Sequence, residues 1–213
     1  MTDAGGTDMS FTGIFKAKDG LVALADSKGS IEINGKLAED PSRRPQKLFI
    51  FPNGVAVTYG ANQILVQNPN QIFTDKTCVE DLVNEYLAKH NTLDSNFFQS
   101  ILIKMGTNPS NQKEPVEFIV GRKVWAGEYR IEFHRIGYDY YVEKIGSPKD
   151  SYYIGGSELY KQAFAQFSFL SHATSAEILR KYAVGKLQQL IDLYDRVLPY
   201  NPVGGSVKSY ILR

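Results

Sequence analysis

The sequence predicts an α+β fold, a four-layer αββα sandwich in which two antiparallel sheets pack face to face and a helix pair covers each outer face. Three observations lead there. Residues 10–27 read as a strand, an Asp19-Gly20 turn and a second strand, and Asp-Gly between two strand-like runs is a strong short-range hairpin signal. That second strand, residues 21–25, is continuously apolar and so is expected to be buried on both faces. The elements then follow as strand block, two helices, strand block, two helices and a last strand.

Taken in order, residues 1–9 are small and polar with adjacent glycines, and read as a flexible leader or propeptide ahead of one domain at 10–213. Residues 31–60 stay β: 31–33 alternate, Asn34-Gly35 is a turn, and 47–51 form an apolar strand. Pro52-Asn53-Gly54 then turns the chain into a strand at 55–60. In the segment 61–73, Pro69, Asn62, Asn68 and Asn70 argue against a regular helix. Thr77-Cys78-Val79-Glu80 reads as a capping box, and Val79, Leu82, Val83, Tyr86 and Leu87 repeat with helical period. A second helix runs from about Asp94 to Met105, with Phe98, Ile101, Leu102 and Met105 on one side and Gly106 as its stop.

Residues 116–123, 128–135 and 140–145 are strand-like, with short Gly-bearing turns between them. A strand at 152–156 leads to a helix starting near Ser157 or Glu158. Thr174-Ser175-Ala176-Glu177 reads as a second capping box for a helix reaching about Arg196. Its expected buried face comprises Ile178, Leu179, Tyr182, Ala183, Leu187, Leu190, Ile191 and Tyr194. Residues 206–212 make the last strand.

Asp26 closes the buried strand 21–25. A carboxylate there is costly unless paired, and Lys47, which opens the next apolar run, is the natural partner. The stretch Ser10-Phe11-Thr12-Gly13 through Ala25-Asp26-Ser27-Lys28 resembles the N-terminal-nucleophile (Ntn) hydrolases, specifically proteasome β-subunits and their bacterial relatives. In that family a strand leads through an acidic or Asn residue plus Gly to an apolar strand ending Ala-Asp-Ser/Thr-Arg/Lys, with a Lys further on ahead of a strand. The family's nucleophile stands sixteen residues before the Asp, which here is Ser10; Thr7 is three residues too far and Thr12 two too close. Lys47 matches the family's Lys. The Asp-to-Lys gap is longer here by about five residues, expected as a widened loop at 37–45.

The resemblance implies a chemistry. The Ser10 hydroxyl would be activated by its own free α-amine, whose unperturbed pKa of about 7.7–8.0 suits a base near neutral pH. The Lys47 ammonium would favour the neutral amine, and Asp26 would hold Lys47. None of this operates while Ser10 is joined to Met9, since an amide nitrogen is not a base; either removal of an initiator Met9 or cleavage of a nine-residue propeptide would free it. Gly60 matches a family glycine whose backbone binds substrate and helps form an oxyanion hole. Ser157 approximates a serine that a strand delivers to the site, shifted by one, since Gly156 occupies that serine's place. Asp192 and Asp195 are available where the family has an Asp ahead of Ser-Gly-Gly, but no Ser precedes Gly204-Gly205. The implied substrate is a peptide or other amide, with no cofactor and no metal. Self-association into a homo-oligomer is implied too, and an ATPase partner is left open. The second reading is a catalytically inactive structural or assembly subunit. Beside both stand plainer accounts: a serine opening a strand, a satisfied buried ion pair, and a glycine ending a strand.

Composition narrows the rest. A net charge of +1 gives no footprint for nucleic acid or an anionic membrane. One cysteine, Cys78, in the predicted first helix, precludes an intramolecular disulfide and fits a cytoplasmic location. No apolar run is long enough to span a bilayer, and no secretory signal is recognisable. His90, His134 and His172 lie at helix ends or in a strand without a Gly-x-Ser-x-Gly elbow, so a Ser-His-Asp triad is disfavoured. His134 is expected to face solvent or a neighbour. The run Tyr138-Asp139-Tyr140-Tyr141 reads as cross-strand packing.

Overall fold

The computed structural model describes residues 10–33, 36–40, 44–67, 74–105, 115–137, 140–146, 152–165 and 174–213. The leader 1–9, the Asn34-Gly35 turn, the polar run 68–73, Gly106, Tyr138-Asp139 and His172 lie outside the described residues. Strands β1 (Phe11–Ala17), β2 (Gly20–Ala25), β3 (Ser30–Ile33), β4 (Lys36–Glu39), β5 (Leu48–Phe51), β6 (Gly54–Gly60), β7 (Gln63–Gln67) and β8 (Thr74–Cys78) precede helices α1 (Val79–His90) and α2 (Ser95–Met105). Strands β9 (Val116–Lys123), β10 (Tyr129–Gly137), β11 (Tyr140–Ile145) and β12 (Tyr152–Gly156) follow. Helices α3 (Glu158–Ala165) and α4 (Ala176–Val197) and strand β13 (Lys208–Leu212) complete the chain.

One sheet has the order β12-β1-β2-β13 and the other β11-β10-β9-β6-β5, with antiparallel neighbours throughout; β3-β4 and β7-β8 are separate hairpins. Alternation along β2 shows how the layers form. Leu21, Ala23 and Ala25 point into a core between the sheets that includes Ile14, Val55, Val57 and Ile119. Val22 and Leu24 point the other way, to Leu179, Ala183 and Leu187 of α4. A third cluster packs Phe118, Val120 and Ile136 of the second sheet against Val83, Phe98 and Ile101 of α1 and α2. Three apolar cores between four layers are the αββα sandwich the sequence predicts.

The departures are local and have identifiable causes. The 77–80 capping box does not form, because Thr77 pairs with Ile64 in the β7-β8 ladder and the N-cap falls on Cys78 without a side-chain cap. Cys78 therefore ends a strand rather than lying within α1. The Val79 amide donates to the Asn62 carbonyl, and Glu80 accepts from the Gln46 amide instead. The 174–177 box is likewise absent: Ser175 caps α4 without a side-chain bond, while the Ala176 amide donates to Asp19 Oδ1 at 2.7 Å. Asp19 of the β1–β2 turn thus does the capping, from far away in sequence. Ile178 and Tyr182 are exposed rather than buried; Leu179, Ala183, Leu187, Leu190 and Ile191 already fill the stripe facing the sheet. The widened 37–45 loop is partly strand, since 37–39 belong to β4.

Among the described residues no helix is long and apolar enough to cross a membrane.

Candidate functional site

The site is built around Asp26. Apolar β2 must be buried on both faces, so the residue that ends it is buried too: the Asp26 side chain is 0% exposed and that of Lys47 6%. Lys47 Nζ donates to Asp26 Oδ1 at 2.9 Å and to the Lys28 carbonyl at 3.0 Å. The same Oδ1 accepts the Phe11 amide at 2.9 Å, while Oδ2 accepts the amides of Lys28 at 3.2 Å and Gly204 at 3.3 Å. A buried carboxylate met by one ammonium and three amides has its charge compensated where it sits. Because one of those amides belongs to the residue after Ser10, the carboxylate also fixes the start of β1.

Ser10 is buried, and its carbonyl accepts the Ser157 amide at 2.7 Å. Phe11 and Thr12 pair with Gly156 and Gly155, so the ends of β1 and β12 meet here. Gly156 has a φ of +98°, and a Cβ on it would run into the Ser10 carbonyl. A side chain at 156 would therefore clash with the backbone of β1, and the serine follows one place later at Ser157. Thr12 is held between Ala25 and Gly155 within the sheet. The structure therefore pairs Asp26 with Lys47 directly, and joins Ser10 to Ser157 through the backbone one residue from the amide that Asp26 holds. Gly60 ends β6 at a φ of +77° opposite Val116, and a Cβ there would meet the Pro115 carbonyl oxygen. Its described surroundings account for it as a strand-end glycine; Thr58, two residues earlier, donates its amide to the Lys47 carbonyl.

Asp192 is exposed and accepts from Gln188, and Asp195 is exposed and accepts from Asn201. The residue that organises this corner is Asn201, which sequence reasoning did not single out. Buried, it takes the Tyr160 hydroxyl and the Val203 amide on Oδ1, and its carbonyl receives Lys28 Nζ at 2.8 Å. Burial pushes the Tyr160 hydroxyl upward, so it stays a donor. Asn201 thereby shapes the turn that presents the Gly204 amide to Asp26. Ser27, quoted in the Ala25–Lys28 motif but given no role there, accepts the Ser206 amide at 2.9 Å and locks the same turn from the β2 side. The only visible signal was the Asn-Pro-x-Gly-Gly turn composition.

A cavity of about 550 Å³ opens on the Asp26–Lys47 pair from the edge where β5 and β13 face each other. Arg44, Gln46, Ser206, Lys208 and Ser209 contribute to its lining, and Ser10 does not.

No protein-family model matches the chain, and no curated protein matches it. Among solved structures, a Gly-1 mutant of Anbu from Hyphomicrobium sp. strain MC1 is 17% identical with a TM-score of 0.52, over 95% of this chain and 81% of that one. Anbu from Yersinia bercovieri, described as an ancestral β-subunit, is 10% identical with a TM-score of 0.57, over 95% and 80%. The helical assembly of the Anbu complex from Pseudomonas aeruginosa is 15% identical with a TM-score of 0.55, over 94% and 80%. The chain thus has a proteasome-like β-subunit fold. The Ntn-hydrolase assignment drawn from the hairpin is corrected by the same finding: the matching structures are Anbu, and identities this low establish a shared fold and not a family.

Proposed function

We propose that the protein is a hydrolase of peptide or other amide bonds whose nucleophile is Ser10, made competent when cleavage ahead of it exposes its α-amine. The observation that carries this reading is the Asp26 carboxylate bonded at once to Lys47 Nζ and to the amide directly after Ser10. On this reading the Lys47 charge would act on Ser10, the residue just ahead of β1. A cation there lowers the proton affinity of a nearby amine and stabilises an oxyanion forming at the serine. Lys47 would be the electrostatic tuner, Asp26 the group that positions it, and the Ser157 amide the clamp on the Ser10 backbone. Gly60, besides ending β6, would offer its backbone to the substrate. No residue in this scheme calls for a cofactor, and the single cysteine suits a cytoplasmic setting.

The Met9–Ser10 bond favours the second reading, a non-catalytic assembly subunit, for as long as it is intact. The helical assembly of Pseudomonas aeruginosa Anbu supports self-association in either case. The test compares protein beginning at Ser10 with its Ser10→Ala counterpart against fluorogenic peptides and simple amides. Turnover by the first and none by the second is expected. Equal background in both would sink the hydrolase reading.

A further inference from the structure

On the far side of the second sheet from Asp26, beneath α2, β10 and β11 place three potential ligands together. Alternation along β10 sends Ile131 into the core between the sheets, and Glu132, His134 and Ile136 toward the helices. In the β10–β11 pairing, His134 lies directly opposite Glu143. One donor atom from each of Glu132, His134 and Glu143 lies within 4.8 Å of the other two; Glu132 and His134 are buried and Glu143 opens to solvent.

We infer that Glu132, His134 and Glu143 form a binding site for one divalent transition-metal ion of the zinc type, entered from the Glu143 side. The arrangement around His134 is that of a ligand with its supports in place. Its ring is 2% exposed and stacks on Phe98 at 3.8 Å, which fixes the plane. Nδ1 is bonded to the Tyr141 hydroxyl at 2.8 Å. With Nδ1 donating, Nε2 presents a lone pair, and Nε2 has no hydrogen-bond partner among the described residues.

Nε2 lies 3.6 Å from Glu132 Oε2. That is long for a hydrogen bond. It suits two ligands of one ion, because tetrahedral zinc with bonds of about 2.0–2.2 Å separates its ligand atoms by about 3.3–3.6 Å. The Tyr141 hydroxyl on Nδ1 is the support that a metal-ligating histidine commonly has on its other ring nitrogen.

Arg122 Nε holds Glu132 Oε2 at 2.8 Å. It fixes that carboxylate as a ligating group is commonly fixed, and its charge offsets one of the two carboxylates.

The test is calorimetric titration of the metal-stripped full chain with Zn²⁺ alone. One equivalent should bind, with Tm rising in parallel. Glu143→Gln changes an exposed side chain and should weaken binding by at least about 10-fold. Tyr141→Phe should cost about 10–100-fold, the usual effect of removing a ligand's support. His90→Gln, at an exposed helix end, should change nothing. Absence of saturable Zn²⁺ binding, or binding that Glu143→Gln and Tyr141→Phe leave intact, overturns the inference. In that event the cluster is a stretched His–Glu contact in the core.

Discussion

Replacing Asp26 with alanine tests the construction of the site most severely. The substitution leaves the Lys47 ammonium, whose side chain is 6% exposed, with the Lys28 carbonyl as its remaining described acceptor. It also strips an acceptor from the amides of Phe11, Lys28 and Gly204. Breaking a buried pair by removing one partner costs about 3–5 kcal/mol. The orphaned amides keep the loss toward the upper end, although water entering the vacated space prevents simple addition. With a urea m-value of about 2–3 kcal/mol/M for a chain of this size, the unfolding midpoint should fall by at least about 1 M. Lys47→Met should cost less, about 1.5–3 kcal/mol, because the carboxylate keeps three amide donors. The double variant should lose less than the sum of the two. A loss under about 1 kcal/mol for Asp26→Ala, or a larger loss for Lys47→Met than for Asp26→Ala, would refute the reasoning that Asp26 is the hub.

Other outcomes follow from the same geometry. Gly156→Ala adds a Cβ against the Ser10 carbonyl at a φ of +98°; it should destabilise the fold by about 1–3 kcal/mol from the backbone alone, and denaturant unfolding that matches the parent would contradict it. Asp94 caps α2 through the Phe97 amide at 3.2 Å. Burial raises its pKa, but the Tyr86 hydroxyl, the Phe97 and Asn96 amides and the charge of His90 outweigh this and hold it below the ordinary value. Its contribution is therefore full above the unfolded carboxylate pKa of about 4 and is lost as pH falls through the lower folded value. Asp94→Asn retains a cap and should flatten the acid limb of the stability–pH curve; an unchanged slope would count against it. On α4, Leu187→Ala should cost about 2–5 kcal/mol and Ile178→Lys less than about 0.5, and comparable losses would mean that the helix is rotated from its described orientation.

How far the sequence could be read depended on whether the cause of each feature was local. Residues 21–25 announced a strand buried on both faces, and the need to pair Asp26 pointed to Lys47, because both arguments rest on burial and charge alone. The β7-β8 hairpin was illegible for the opposite reason. Thr74–Cys78 carries no apolar alternation and is a strand by virtue of its pairing with Gln63–Gln67. The two capping boxes matched in letters but not in function, since Thr77 was committed to a ladder and the α4 terminus was capped by Asp19. Helical period placed Ile178 and Tyr182 near the buried face without fixing its width; packing against β2 narrowed it. Asn201 ties its turn to partners 41 positions back at Tyr160 and 173 positions back at Lys28, and the local turn composition does not disclose those links. His134 was read as an ordinary strand residue because its stacking on Phe98 and its closeness to Glu132 and Glu143 depend on the helix above and the strand beside it.

The measurement that bears most directly on the central claim is the intact mass and N-terminal residue of protein expressed from Met1, together with its amide hydrolysis. The account predicts a mature chain beginning at Ser10 and active, with both the cut and the activity lost in Ser10→Ala. A chain that keeps residues 1–9 and stays inactive, and stays inactive when produced with Ser10 as its first residue, would contradict it and leave the Asp26–Lys47 pair as a structural feature of an assembly subunit.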